Sequence, residues 1–392
     1  MQQSLTAGFD FNHGTQVRFG AGRRQELCDL LARRRWTRIG LVVDHNLRDV
    51  ERVRSLVAAV RVACERVVLY WCEVSEPTYD VLDRARTAFA DESLQAIVGI
   101  GGGSALDMAK AMAVLVHNRL PALKYRGFDQ MTAPVLPIVA IPTTAGTGSE
   151  VTPNASFVDS AEQRKLGING ETVRPRFALL DPELTLSCPE RATVSAGVDS
   201  LVHATEAYVA KKSNPLARLL AREGFGRVFN ALPRVVESPA DLSLRTEVMY
   251  GAFLAGLALM NSGTGPSAAM SYPLGVLHRV PHGLAGALFL PAVAQHNVRQ
   301  GTYDYADLYQ VIEGADFRLP REVQASRFVE CLEIAWRRLK IPRELGQFGI
   351  ATAQIERLVA GTLDLKGALD QNPAPFGRSE IEAILRPLVP VA

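Results

Sequence analysis

The chain has 392 residues, 47% of them hydrophobic and 21% charged, which is typical of a soluble protein with a sizeable core and is long enough for two domains. A formal net charge of +2 gives no electrostatic attraction for nucleic acid or an anionic membrane, so neither is expected as a partner. Five scattered cysteines, an N-terminus without a basic-then-apolar signal pattern and no apolar run of about 18 residues together predict a cytoplasmic protein without a disulfide framework.

The first half of the chain alternates short apolar runs with helical patterns. Strands are predicted at residues 15–19, 38–43, 67–71, 96–100, 137–141 and 177–180, and helices at 23–35, 50–64, 77–90 and from Ser104 onward. Two shorter runs, at 156–159 and 165–168, are typical of a β-hairpin. Because this β–α alternation is the pattern of a doubly wound parallel sheet, residues 1–185 are predicted to form an α/β domain.

From Pro189 onward the pattern becomes helical almost throughout. Helices are predicted at residues 192–209, 215–236, 242–261, 285–297 and 321–339. Few β-branched alternating runs interrupt them. An all-α domain is therefore predicted for residues 186–392.

The stretch LQAIVGIGGGSALDMAK, residues 94–110, combines a buried strand, three glycines and a helix. Gly101, Gly102 and Gly103 allow a close approach of the backbone, and free N–H groups with the helix dipole favour an anion. Ser104 is predicted to cap the helix, and Asp107 completes the capping pattern three residues later. The turn predicts a phosphate site, although a tight turn without a ligand gives the same pattern.

Polar residues also follow two other predicted strands. The Asp44 carboxylate comes directly after strand 38–43, where it could accept hydrogen bonds from a ribose diol and repel a 2′-phosphate, or only cap a turn. The loop PTTAGTGSE, residues 142–150, brings hydroxyl groups after strand 137–141; they belong to Thr143, Thr144, Thr147 and Ser149. Ligands bind at the carboxyl ends of strands in open α/β sheets. Neither glycine loop has a standard dinucleotide or P-loop spacing, so the loops predict only a nucleotide or another phosphorylated ligand.

A second group of chemically active residues lies in the helical half. Asp199 and His203 are spaced i, i+4, which places them on one helix face, although such a pair is more often an exposed ion pair. The segment SYPLGVLHRVPHGLAG, residues 271–286, adds His278 and His282, and its Pro–His–Gly break could orient an imidazole. Aspartate with imidazoles suits zinc or ferrous iron, with a position left open for a substrate oxygen.

Five motifs follow one another in a specific order and together span nearly the whole chain. They are GGGSALDMAK at 101–110, IPTTAGTGSEVT at 141–152, LLDPELT at 179–185, GVDSLVHATEAY at 197–208 and SYPLG…PHGLAGALFLP at 271–291. This set resembles the iron-containing (group III) alcohol dehydrogenase family. The resemblance implies a Rossmann-like N-terminal domain and a helical C-terminal domain, as in the dehydroquinate synthase-like architecture. It also implies a cleft between the domains, a homodimer, and hydride transfer between NAD(P)H and an alcohol/aldehyde pair.

The resemblance further implies cofactor contacts. The residue matching Asp44 disfavours NADP, so NAD(H) is expected, and the glycine turn with Ser104 contacts the pyrophosphate. Asp107 and Ser149 belong to the same cofactor motifs. Thr143, Thr144 and Thr147 match the loop around the ribose and nicotinamide, and Lys165 matches a lysine near the cofactor.

The metal motif departs from the family at one position. Members hold their metal with an aspartate and three histidines, of which Asp199, His203 and His282 match three, while the remaining position is Ala268. A further family histidine, linked to proton handling, is Tyr272 here. Three alternatives stay open: iron or zinc held by three ligands, replacement of the missing ligand by His278, and a metal-free site.

The sequence therefore predicts an NAD-dependent alcohol dehydrogenase that works as an aldehyde reductase. A metal at the aspartate–histidine cluster would polarise the carbonyl, and a proton would arrive through His278, Tyr272 or water; without a metal, His203 and His282 would donate hydrogen bonds or protons themselves. The rival hypotheses are a dehydroquinate-synthase-like NAD- and metal-dependent lyase, and an NAD-binding protein without activity. An anionic aldehyde would suit three arginines that are otherwise interpreted as surface residues: Arg126, Arg164 and Arg279.

Overall fold

The computed structural model describes residues 8–73, 76–90 and 93–389, so residues 1–7 of the N-terminal stretch lie outside it. The chain forms two compact units. Of the described residues, those from His13 to Pro189 form one unit, and residues 190–389 together with residues 8–12 form the other. The first unit is α/β with a parallel sheet and the second is helical, which confirms the predicted fold class.

Strands of the α/β unit form two sheets. In chain order they are β1 (Gln16–Phe19), β2 (Arg38–Asp44), β3 (Arg66–Cys72), β4 (Ala96–Gly101), β5 (Gly127–Phe128), β6 (Ile138–Pro142), β7 (Asn154–Asp159), β8 (Arg164–Asn169) and β9 (Phe177–Leu180). Six of them pair in parallel in the order β1-β9-β6-β4-β2-β3. A smaller sheet has the order β5-β8-β7 and contains the predicted antiparallel hairpin β7–β8.

Four helices cover the main sheet on both faces: α1 (Leu27–Arg34), α2 (Glu51–Ala63), α3 (Tyr79–Ala85) and α4 (Gly103–Leu115). Leu41 of β2 packs in a core with α1 and α2, whereas its neighbour Val42 packs in a core with α3 and α4. Successive side chains of a strand point to opposite faces, and both faces are covered here. The strands therefore read as continuous apolar runs, which is why they could be predicted.

The helical unit contains α5 (Glu190–Val209), α6 (Pro215–Glu237), α7 (Leu242–Met260), α8 (Pro266–His278), α9 (His282–Arg299), α10 (Tyr305–Tyr309), α11 (Arg321–Arg338), α12 (Ile355–Leu363), α13 (Lys366–Leu369) and α14 (Arg378–Leu385). The predicted helices correspond to α5, α6, α7, α9 and α11. Helix α8 was not predicted, because its first nine residues are mostly buried and leave no polar face to give a periodic pattern.

One described helix, α7, is long and apolar enough to cross a membrane by length and composition alone. It packs against α5 and α6 within the helical unit. Its Arg245 is buried and donates hydrogen bonds to the Thr193 hydroxyl, at 2.8 Å, and to the Pro239 carbonyl, at 3.0 Å. These contacts are those of a core helix.

Candidate functional site

Three adjacent parallel strands of the α/β unit end side by side, and each delivers polar or glycine residues. Strand β4 lies between β2 and β6, with Val43 opposite Ile100 and Gly101 opposite Pro142. Asp44, the glycine turn and the threonine loop therefore emerge at one edge of the sheet. The Thr143 N–H donates to the Gly101 carbonyl over 3.0 Å, which joins two of these segments directly.

The glycine turn is packed too closely for larger residues. A Cβ atom on Gly101, whose φ is +152°, would lie 2.8 Å from the Asp44 Cβ and 2.7 Å from the Ala105 Cβ. A Cβ on Gly103 would lie 2.7 Å from the Thr147 Cγ2. Because real Cβ contacts are essentially never below 3.0 Å, glycine is required here to bring the aspartate, the turn and the threonine loop together.

The start of helix α4 corrects the predicted capping. The N-cap is Gly102, in an extended conformation, and the helix begins at Gly103, so Ser104 lies inside the first turn. Asp107 does not complete a cap either. Its carboxylate accepts hydrogen bonds from the Ser149 hydroxyl at 2.6 Å and from the Ser156 N–H at 2.9 Å. Asp107 and Ser149, both predicted to contact cofactor, thus bond to each other.

A buried lysine strengthens this connection. Lys110 is fully buried, donates to the Asn154 carbonyl at 2.6 Å and lies 3.6 Å from the Asp107 carboxylate. Burial lowers the pKa of Lys110, while the charges of Asp107 and Glu150 oppose that shift. Lys110 and Asp107 of helix α4 therefore bind it to strand β7 through hydrogen bonds to the backbone of Asn154 and Ser156. Lys110 was not predicted as a functional residue, although its place at the end of the GGGSALDMAK motif was an available signal.

The remaining cofactor candidates have these surroundings. Asp44 accepts from the Asn46 N–H at 2.9 Å, so it does cap a short helical turn. Thr143 is buried, whereas Thr144 and Thr147 are half-buried. Lys165 lies on β8 and pairs with Glu76 at 2.9 Å. These placements leave the predicted cofactor contacts as predictions.

In the helical unit, the predicted metal ligands converge. Asp199, His203 and His282 each offer one ligand atom, and these atoms all lie within 4.8 Å of one another. The Asp199 Oδ1 is 3.5 Å from the His203 Nε2 and 3.9 Å from the His282 Nε2. Asp199 and His203 are buried, so the pair is not the exposed ion pair that the sequence alone favoured.

A glycine makes this convergence possible. His282 begins helix α9, after a break in which Arg279 has a φ of +55° and Pro281 is the N-cap. The next residue, Gly283, lies against helix α5. Its Cβ, if present, would be 2.0 Å from the Ser195 carbonyl oxygen and 2.8 Å from the Asp199 Cβ. The Pro–His–Gly break was predicted, but the close contact between the two helices was not.

Neighbours of the cluster lie on helix α8. The buried Ser271 hydroxyl is 3.0 Å from the His282 Nδ1, and the Tyr272 ring meets the His282 ring edge-on with a centroid distance of 5.2 Å. Ala268, at the fourth family position, is buried. His278 ends the same helix and is not a member of the described ligand group. Burial lowers the pKa of His278, and the positive charge of Arg357 lowers it further.

Glu206, one turn after His203, is a further buried group that the sequence analysis missed. Its carboxylate accepts from the N–H groups of Gly265 at 2.7 Å and Ser267 at 2.6 Å, which caps the start of α8. Burial raises its pKa, and the backbone hydrogen bonds partly oppose that shift. Glu206 thus fixes α8, the helix that carries Ser271 and Tyr272.

The donor set fits a divalent transition metal. Ligands that bind one ion at about 2.0–2.2 Å lie roughly 3–4 Å apart, which matches the two distances from Asp199. In the α/β unit, a glycine N-cap at a helix start, beside Asp44 and two threonines, fits a dinucleotide pyrophosphate and ribose.

Both units match known protein families. A family model described as iron-containing alcohol dehydrogenase matches residues 14–182. A second model, described as the C-terminal part of the Fe-containing alcohol dehydrogenase family, matches residues 193–389. The long-chain-alcohol dehydrogenase 1 of Geobacillus thermodenitrificans is 34% identical over 369 residues, which are 93% of this chain and 93% of that protein.

Two solved structures are similar over almost their full length. A 1,3-propanediol oxidoreductase has a TM-score of 0.92 at 27% identity and covers 97% of this chain and 99% of its own. A sulfoacetaldehyde reductase from Bifidobacterium kashiwanohense, solved with NAD+, has a TM-score of 0.87 at 27% identity. The match covers 98% of this chain and 99% of the reductase.

Proposed function

Because the chain belongs to the iron-containing alcohol dehydrogenase family, we propose that it is an NAD(H)-dependent alcohol dehydrogenase that works as an aldehyde reductase. The observation that carries the proposal is the convergence of Asp199, His203 and His282 within 4.8 Å. In the reaction, a hydride from nicotinamide C4 forms a C–H bond at the aldehyde carbon, and a proton is added to the oxygen. The products are the primary alcohol and NAD+.

The α/β unit supplies the nucleotide site of this proposal. The N-terminus of α4 offers backbone N–H groups and the positive end of a helix dipole to the pyrophosphate. Asp44 accepts hydrogen bonds from a ribose diol and repels the 2′-phosphate of NADP, which gives the preference for NAD(H). The hydroxyls of Thr144 and Thr147 hydrogen-bond the ribose or the nicotinamide amide.

The helical unit supplies the groups that act on the carbonyl. A bound divalent metal contributes Lewis-acid polarisation of the carbonyl and stabilisation of the developing alkoxide charge. Asp199, His203 and His282 would hold the ion, and the buried Asp199 carboxylate would offset part of its positive charge. Three protein ligands would leave a position open for the substrate oxygen, as in catalytic zinc sites. The missing imidazole at Ala268 is thus compatible with the proposal.

The proton comes from Tyr272, or from a water that it orders, rather than from His278. Tyr272 contacts His282 directly, whereas His278 is outside the ligand group. Burial and the charge of Arg357 also lower the pKa of His278, which keeps its imidazole neutral at pH 7. A neutral imidazole in that position is a poor acid for an alkoxide.

The proposed substrate is a small aldehyde, and the experiment below tests whether it is neutral or anionic. Two arginines that could favour an anionic aldehyde are already engaged by an acidic side chain. Arg126 lies 3.3 Å and Arg164 3.8 Å from the Glu162 carboxylate. Arg279 is exposed at the break between α8 and α9. Similarity to a sulfoacetaldehyde reductase supports including anionic aldehydes in the test.

The experiment is a screen of NADH oxidation by the purified protein over neutral and anionic aldehydes, with and without added Fe2+ or Zn2+. We expect stoichiometric NADH consumption with at least one aldehyde. His203→Ala should lower turnover strongly and leave NADH binding nearly unchanged. No net NADH consumption with any aldehyde would overturn the proposal, and would favour a lyase or a binding protein. Equal losses of turnover and NADH binding would mean that His203 only supports the fold.

The cellular setting is proposed on the same basis. A cytoplasmic location is supported by the free state of the described cysteines, none of which forms a disulfide. A homodimer is proposed from the family alone, and sedimentation of the purified protein tests it.

A further inference from the structure

We propose that Ser271 is a positioning residue that fixes the orientation and the proton position of the His282 imidazole for metal binding. This inference deepens the proposed function and rests on its metal site, but its first step concerns only hydrogen bonds within the helical unit. Ser271 opens the motif SYPLG…PHGLAGALFLP, but its partners depend on how helix α8 packs against helix α9.

The hydroxyl of Ser271 has two partners. Its Oγ lies 2.6 Å from the Ala268 carbonyl oxygen and 3.0 Å from the His282 Nδ1. A carbonyl oxygen can only accept, so the single hydroxyl proton is donated to Ala268. The alternative would set an oxygen lone pair against the carbonyl at 2.6 Å, which is repulsive.

The proton position on His282 follows from this arrangement. Since the Ser271 Oγ has already used its proton, it accepts from the Nδ1–H of His282. A neutral imidazole with its proton on Nδ1 carries a lone pair on Nε2. The Nε2 is the atom 3.9 Å from the Asp199 Oδ1, and therefore the atom that faces the other ligands. Ser271 thus selects the tautomer that can bind a metal.

The position of the ring is restrained from a second side. The Tyr272 ring is perpendicular to the imidazole, with an interplanar angle of 89°. Ser271 is fully buried, so water does not compete for its hydroxyl. Metal-binding histidines generally donate their other N–H to a fixed acceptor, and loss of that acceptor costs about 10- to 100-fold in metal affinity. With only three ligands, the site depends on each being held in place.

The test compares Ser271→Ala with a matched control, Ser262→Ala. Ser262 is also buried, and its hydroxyl donates to the Ala258 carbonyl over 2.8 Å at the end of α7. Both variants lose one buried hydroxyl that donates to a helix carbonyl, but only Ser271 contacts an imidazole. Zn2+ affinity, measured by competition with a chromophoric chelator, should fall about 10- to 100-fold in Ser271→Ala and stay unchanged in Ser262→Ala.

A second readout needs no metal. The chain has 7 histidines, and 15N-histidine NMR of the metal-free protein, assigned with His282→Gln, reports which His282 nitrogen carries the proton. We expect Nδ1–H in the wild type and a shift towards Nε2–H in Ser271→Ala. An Nε2–H tautomer in the wild type overturns the proposal. So does unchanged Zn2+ affinity in Ser271→Ala, or an equal loss in Ser262→Ala. If the wild type binds no Zn2+, the metal part of the proposed function is wrong. The NMR result alone then decides whether Ser271 sets the His282 tautomer.

Discussion

Replacement of Gly283 by alanine tests the packing that assembles the metal ligands. The added Cβ would start 2.0 Å from the Ser195 carbonyl oxygen, while real Cβ contacts stay above 3.0 Å. The first turn of α9 must therefore move away from α5 by at least about 1 Å, the difference between those distances. Overpacking of this kind typically costs about 1–3 kcal/mol of stability.

The same movement displaces the ligand at the preceding position. His282 would move relative to Asp199 by several times the roughly 0.2 Å tolerance of metal–ligand distances. Gly283→Ala should therefore lose most of its bound metal and its aldehyde reductase activity. NADH binding should persist, because its proposed site lies in the other unit.

Gly286→Ala is the matched control for Gly283→Ala. It lies in the same helix, but its added Cβ would meet the Val202 side chain at an ordinary 3.5 Å. Since glycine in a helix costs roughly 0.5–1 kcal/mol relative to alanine, this variant should be slightly more stable than the wild type. Metal content by elemental analysis and thermal unfolding are the assays. Wild-type metal affinity and stability in Gly283→Ala would refute the packing argument.

Three other predictions concern buried or capping charges. Asp44→Ser keeps a capping oxygen for Asn46 but removes the carboxylate, so NADPH use should rise while the free energy of unfolding changes by less than about 0.5 kcal/mol. Steady-state kinetics with NADH and NADPH measure the cofactor preference, and an unchanged preference would contradict the role of Asp44. Lys110→Met should lower the free energy of unfolding by about 1–3 kcal/mol in denaturant titrations, because Asn154 loses its buried donor. Burial raises the pKa of Glu206 above its ordinary 4.5, so the native state keeps a proton that the unfolded state has already released. The free energy of unfolding of the wild type therefore falls as the pH rises from 4.5 through the raised pKa of Glu206. Glu206→Gln cannot release this proton, so its free energy of unfolding should not show that fall when both proteins are unfolded between pH 4.5 and 8.

Much of the fold could be predicted because its signals are local. Buried parallel strands leave continuous apolar runs, and β9 was predicted at its observed bounds, Phe177–Leu180. Helices with one polar face, such as α11, leave a clear period. The two-residue strand β5 is too short to leave one. The first nine residues of helix α8 are mostly buried and lack a polar face, so no helical period marked this segment as a helix.

The candidate metal site likewise has some features with a local sequence signal and others that depend on contacts between helices. The i, i+4 spacing on one helix predicted that Asp199 and His203 share a face, and the Pro–His–Gly motif predicted the break before His282. What brings His282 to them is the contact of Gly283 with helix α5, which joins residues far apart in the sequence. The contacts of Ser271 likewise depend on how α8 packs against α9. Side-chain partners of this kind have no signature in a single sequence.

Asp107 shows how a residue of a recognised motif can have structural partners that the motif does not reveal. Its position in the glycine motif predicted a helix cap, which is wrong because the N-cap is Gly102, and a cofactor contact, which stays a prediction. In the structure its carboxylate bonds to Ser149 and Ser156. Asp107 therefore joins α4 to the threonine loop and to β7, and these hydrogen bonds hold the threonine loop in place beside the glycine turn.

The proposed reaction depends most directly on whether the Asp199–His203–His282 cluster binds a metal that takes part in it. Protein stripped with a chelator and titrated anaerobically with Fe2+, while NADH oxidation by an aldehyde is followed, measures this in one experiment. We predict that turnover rises with added metal and reaches a plateau at one equivalent per chain. Full turnover in the stripped protein, with no response to added metal, would contradict it.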